Sequence, residues 1–260
     1  MGKKVLAIVL SSILVCLNII SVEAKENYEE QSMTVTEDFI KQAEVEVSNQ
    51  GYLKLTKINT CGKKSGNIIQ KEAEVLVLVP EKEENLKKAL KDIQGIKKGE
   101  ISTTESKKFV KSINQSNNEV AVMSQGSGTK SNEIWGCAVA LTISYDETVK
   151  NGRNAVLLRK VSSNIKNGNS VYVSKYTINY GCSGATQSQN YKTQNGSKSY
   201  GYVPATHSES KTITCPSTWA YVYEESYIAT VGANMSVAVK KRSGQSTTST
   251  TLSISNNLGF

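Results

Sequence analysis

The sequence predicts an α+β N-terminal unit followed by an all-β domain, and three observations carry that prediction. Charge is uneven: from Lys25 to Ile134, 17 Lys and Arg balance 17 Asp and Glu, whereas from Trp135 to Phe260, 12 face 5, a net of +7. Composition changes at the same place, from charged helix-forming runs to Ser, Thr, Asn, Gly and Tyr, with 10 of the 12 tyrosines after residue 140. The later part also alternates apolar and polar residues with a period of two, as strands with one covered face do.

The chain opens with an export signal. Lys3 and Lys4 precede an apolar run from Val5 to Val22, and Val22-Glu23-Ala24 places small residues before a cut. Residues 1–24 are therefore expected to be removed and the mature protein released outside the cell or held at its wall. Behind such a signal, a Lys-rich and Arg-poor make-up is what a bacterial extracellular protein would carry.

From 25 to 124 the expectation is a small α+β domain. Thr36 is placed to cap a helix whose first turn holds Glu37 and Asp38, with Phe39, Ile40, Ala43 and Val47 at helical spacing and Gly51 as the stop. Tyr52–Ile58 and Ala73–Val79 read as strands, the second a continuous apolar run that has to be covered on both faces. Pro80 ends it. Glu81–Ile93 and Thr103–Ile113 follow as helices, and Val120–Met123 as a strand. Gln125–Asn132 is a Gly/Ser connector, and residues 125–134 are taken as the boundary.

From 135 to 260 the reading is a β-sandwich, Ig-like or jelly-roll-like, with a barrel as second choice. Ala138–Tyr145 should turn Val139, Leu141, Ile143 and Tyr145 to a core. Strands are expected at Val156–Val161, Val171–Tyr180, Ser199–Val203, Lys211–Cys215, Trp219–Ile228, Ala233–Val239 and Thr248–Ser255, separated by Asn/Gly/Ser turn signals.

An even set of cysteines in an exported chain reads first as disulfides: Cys182 with Cys215 inside the β-domain, and Cys61 with Cys137 between the two regions. No cofactor or metal is expected, because no cysteine pair has close spacing and the sole histidine, His207, stands alone. Gly181-Cys182-Ser183-Gly184-Ala185 and Trp135-Gly136-Cys137-Ala138 fall short of nucleophile motifs. A base and an orienting acid are missing, with no aspartate after Asp146. Glu224 and Glu225 are adjacent and would point to opposite faces of a strand. The expectation is a non-enzymatic protein.

Aromatic and basic residues give the candidate ligand surface. Tyr172, Tyr176 and Tyr180 fall on one strand at even spacing, as do Trp219, Tyr221, Tyr223 and Tyr227, and Lys240, Lys241 and Arg242 form a basic cluster. The partner this predicts is an anionic cell-surface polymer or a polysaccharide, with a membrane surface as a lesser option. Nucleic acid is disfavoured because arginines are few and no recognition helix is present. The alternatives are a toxin-like or pore-forming β-protein using the Ser/Thr-rich segments Gly184–Thr214 and Ser243–Asn257, and a secreted hydrolase with an unrecognised site.

Overall fold

The computed structural model describes residues 35–59, 64–114, 135–188, 190–225, 229–243 and 245–258. The signal segment, the connector, the strand expected at Val120–Met123, Cys61 and Tyr227 lie outside them. All described residues belong to one compact unit spanning Ser32–Phe260. It is mostly β, with few helices and two antiparallel sheets.

The first sheet runs β1 (Glu44–Val47), β2 (Leu53–Asn59), β4 (Ile68–Pro80), β5 (Trp135–Lys150), β6 (Arg153–Asn167) and β10 (Ser208–Thr214). Two short strands add to it, β3 (Lys64–Ser65) on β4 and β11 (Val222–Tyr223) on β6. The second sheet runs β13 (Ser246–Leu258), β12 (Thr230–Ser243), β7 (Val171–Ala185) and β8 (Tyr191–Lys192), with β9 (Asn195–Tyr200) also on β7. Three helices, α1 (Glu37–Gln42), α2 (Glu83–Lys98) and α3 (Thr103–Asn114), complete the described elements.

The long apolar run of β4 is covered on both faces, as its pattern requires. Ala73, Val75 and Val77 join the core shared by the two sheets, with Val139, Leu141, Ile143, Val237 and Ile254. Leu76 and Leu78 turn the other way, into a second core with Leu53, Leu55, Ala138 and Ala140 of the sheet and Ile40, Ile93, Phe109 and Ile113 of the helices. The alternation of β5 holds likewise: Val139, Leu141 and Ile143 are fully buried on the inner face.

Thr36 caps α1 by accepting a hydrogen bond from the Phe39 amide at 3.1 Å. The helix is shorter than its spacing suggests. Glu44–Val47 leaves it as β1, because Val45 sits opposite Leu55 in an antiparallel ladder that outweighs helix propensity. α2 runs past Ile93 to a left-handed stop at Gly99, φ 70°. Gly95 is tolerated inside it because a Cβ there would stand 2.5 Å from Ile101 Cγ2, so helix and following turn approach too closely for a side chain.

β4 and β5 pair from Ile69↔Glu147 to Pro80↔Trp135. A hydrogen-bonded ladder thus spans the compositional change and joins residues before the connector to those after it. A chain nicked within Gln125–Asn132 should consequently stay together as two fragments in native gel filtration without any disulfide, and separate in urea. Separation in native buffer would show that the ladder and its cores do not hold.

Candidate functional site

The two predicted tyrosine stripes do not form one surface. On β7, Tyr176 is buried in the shared core, and its hydroxyl donates to Glu209 Oε1 at 2.7 Å. Tyr200 stacks on it with ring centroids 4.8 Å apart. Tyr172 points the opposite way. Lys175 pairs with Ala238 and Val173 with Val239, so Ser174 is an extra residue, and this bulge inverts the face between Tyr172 and Tyr176. Even spacing therefore misleads across it.

The second stripe is not a strand through its length. Among its described residues, only Val222 and Tyr223 pair, on β6, and Tyr223 is buried. Ala220 is held by the side chain of Gln194, which accepts from its amide at 2.5 Å and donates to its carbonyl at 2.9 Å. Trp219 and Tyr221, with Tyr180, pack against the rim of the core, and Tyr180 and Trp219 rings lie 5.9 Å apart.

What the fold does assemble is the outer face of the second sheet. Its five strands contain no Asp or Glu, and of their six basic residues Lys175, Lys240 and Arg242 fall on this face, whereas Lys198 lies opposite the buried Ile178, Lys192 opposite Gly184 and Lys241 opposite the buried Val171. Cross-strand register lines up small polar side chains in rows. Ser197, Asn179, Asn234 and Ser255 form one, and Ser199, Thr177, Ser236 and Ser253 the next. Neighbouring positions in a row are ~4.8 Å apart and successive rows ~6.8 Å apart. Thr177 and Ser199 hydroxyls meet at 2.9 Å, and Ser197 donates to Asn179 Oδ1 at 2.7 Å.

At one end of this face the rows become basic and aromatic. Tyr172 lies opposite Lys240, which lies opposite Ser249. Tyr172 meets Tyr202 edge-on at 5.5 Å, and the Arg242 guanidinium sits 5.3 Å from the Tyr172 centroid, a cation–π distance. Tyr202 is 56% exposed. Lys241 has the opposite parity and is spent within the fold, its ammonium donating to the Glu81 carbonyl oxygen. Of the predicted surface residues, the face thus gathers Tyr172, Lys240 and Arg242. Tyr202 was missed because it lies in an irregular segment after Gly201, and the polar rows because single Ser and Thr residues carry no signal until strand register is known.

The expected disulfides are absent from the described residues. Cys137, Cys182 and Cys215 are free and buried. Cys182 and Cys215, expected to bond, stay separate thiols: Cys182 faces inward from β7 with its Sγ 3.7 Å from the Val156 carbonyl oxygen, whereas Cys215 follows β10 with its backbone tied to Arg159 O at 2.9 Å. Cys137 is a free thiol that donates its Sγ–H to Asn167 Oδ1 at 3.3 Å, and Cys61, its expected partner, lies outside the described residues. Burial pushes the Cys137 and Cys215 thiols up to about 12 and Cys182 to about 11. A thiol at 12 leaves a thiolate fraction of roughly 10⁻⁵ at pH 7. All three should resist maleimide in native buffer and label in denaturant. Failure of Cys182 and Cys215 to label in denaturant would restore the bond between them.

A buried carboxylate, Asp146, is paired away from this face. The Arg159 Nε donates to Asp146 Oδ2 at 2.6 Å, and the Tyr221 hydroxyl donates to the same oxygen at 3.3 Å. Arg159 is itself an extra residue in β6, between Lys160↔Ser144 and Leu158↔Tyr145, which aims it at the buried carboxylate. Ser183 is engaged with Gln194, its hydroxyl accepting from the Gln194 amide at 2.9 Å. Among the described residues, no three His, Cys, Asp or Glu gather as a metal site.

No protein-family model matches the chain, and no curated protein matches it.

Proposed function

We propose that this is an exported, non-enzymatic binding protein that holds an anionic cell-surface or extracellular polymer, a wall polymer or acidic polysaccharide, on the outer face of its second sheet. The observation that carries the reading is the charge of that face: Lys175, Lys240 and Arg242 fall on it, and its strands contain no carboxylate. Phosphate or carboxylate groups of a polymer would be drawn to Lys175, Lys240 and Arg242 without meeting a repelling side chain. Rows of hydroxyl and amide groups then supply hydrogen bonds to sugar or glycerol hydroxyls, and Tyr172 with Tyr202 supplies a stacking corner. We read the two sheets as a β-sandwich, with the helices of the α+β reading covering the far face of the first sheet.

One observation favours membrane action as a second reading. Val231, Ala233, Met235, Val237 and Val239 alternate over nine residues of β12, a length near that of a membrane-crossing strand. Against it, Lys240, Lys241 and Arg242 stand at the tip of the β12–β13 hairpin and would have to cross first.

The test is co-sedimentation with purified cell wall and with an immobilised polyglycerol phosphate, using neutral dextran as control and dye release from anionic vesicles in parallel. The proposal expects saturable retention on the anionic polymer, none on dextran and no leakage. Leakage without retention would replace it with the membrane reading, and equal retention on dextran would remove the role of charge.

A further inference from the structure

We infer that the free edge of β13, with β1 and β2 beneath it, receives one extended polypeptide strand whose inward side chains are apolar at one position and basic two residues away. The site lies beside the polymer face and does not rest on that reading. A strand at the end of a sheet exposes unpaired N–H and C=O groups, and folded proteins blunt such edges with short strands, charges or proline. β13 carries none of these: Ser246–Leu258 is 13 residues long with no charge and no proline, and among the described residues it pairs only with β12.

What lies beneath the edge selects the occupant. β13 packs over β4 and β5, and a groove of about 320 Å³ beside it is floored by β1 and β2. A partner strand backed by a sheet of its own would collide with that floor, whereas a single strand fits, ~4.8 Å from β13 and ~10 Å above β2. The edge is held ready for it. The Asn256 side-chain amide donates to the carbonyl oxygens of Ala73 and Leu141, each at 2.8 Å, and fixes β13 on the first sheet.

Strand register gives the chemistry of the floor. Leu53 and Leu55 turn into the helix-side core, so Lys54, Thr56 and Ile58 turn towards the groove, with Glu44 opposite Thr56 and Glu46 opposite Lys54. Ile58 is 68% exposed, the most exposed large apolar side chain described. Lys54 is already paired with Glu46 at 3.4 Å, whereas Glu44 has no ion pair among the described residues. An added strand that sets an apolar side chain over Ile58 and a Lys or Arg over Glu44, one strand repeat of ~6.8 Å away, covers the first and neutralises the second while its backbone pairs with β13.

The measurement is fluorescence anisotropy of mature protein with two labelled peptides, Ser-Thr-Ser-Leu-Thr-Lys-Ser-Thr-Ser and its reversed order, because the strand direction is open. At least one should bind saturably. Successive N–H groups of a strand point to opposite edges, so N-methylation of that peptide at alternate residues should abolish binding in one of the two patterns and spare it in the other. Glu44→Lys and Ile58→Asn, both at exposed positions outside the cores, should each weaken it at least about tenfold. Replacing the peptide's Lys by Glu should weaken binding to the wild type and restore it to Glu44→Lys. No binding of either peptide at about 1 mM, equal binding of the two N-methylated patterns, or a Glu44→Lys protein that binds as the wild type does, overturns the inference.

Discussion

Tyr176→Ala should cost about 3 to 5 kcal/mol of stability, the range for removing a fully buried aromatic side chain. The residue is 1% exposed, stacks on Tyr200 and donates to Glu209, so its loss leaves a cavity and an acceptor without its donor. Tyr172→Ala, four residues earlier on the same strand, should change stability by no more than about 1 kcal/mol, because its ring lies on the outer face. Urea unfolding of both variants decides the matter. If the two cost the same, the bulge at Ser174 does not separate the faces and the outer surface has been assigned wrongly.

Arg159→Leu should destabilise by roughly 2 to 3 kcal/mol by leaving the Asp146 carboxylate without its cation. The Asp146 side chain is 4% exposed while that of Arg159 is 44% exposed, so water can replace part of what the guanidinium supplied, and the cost falls below that of a fully buried pair. Its Oδ1 already has no hydrogen-bond partner in the described structure, which leaves the carboxylate little in reserve. Arg159→Leu combined with Asp146→Asn should recover most of the loss, because neither partner is then a stranded charge. Thermal unfolding of the single and double variants reads this directly. A double variant less stable than the single one would mean that Asp146 is held by something other than Arg159.

Much of the fold was legible because burial on one or two faces leaves a periodic trace. The run Ala73–Val79 announced a strand covered on both sides, and it lies between the two cores. Val139, Leu141 and Ile143 announced their inner face in the same way. What the sequence could not carry was register. A single extra residue at Ser174 turned Tyr172 away from Tyr176, and another at Arg159 aimed a guanidinium at Asp146. Both bulges sit in stretches whose composition looks like an unbroken strand. The separation of Cys182 and Cys215 was equally invisible, because cysteine count and compartment say nothing about which sheet each residue faces.

The candidate site divides along the same line. Lys240 and Arg242 were legible as a basic cluster, and Tyr172 as an aromatic neighbour. Lys241 was not distinguishable from them until the strand showed it turned towards Glu81. The rows of Ser, Thr and Asn arise only when β9, β7, β12 and β13 are set side by side, bringing together residues far apart in the chain.

The central claim is that the outer face of the second sheet binds polyanions through its cations and its aromatic corner, and affinity measured against ionic strength tests it most directly. Exposed charges separated by more than ~10 Å are largely screened at 0.1 M salt, so affinity for polyglycerol phosphate should fall steeply as salt rises. Lys240→Glu with Arg242→Glu should remove most of that salt dependence, whereas Tyr172→Ala with Tyr202→Ala should lower the part that persists at high salt. Affinity that ignores salt, or a charge-reversed protein that binds as the wild type does, would contradict the account.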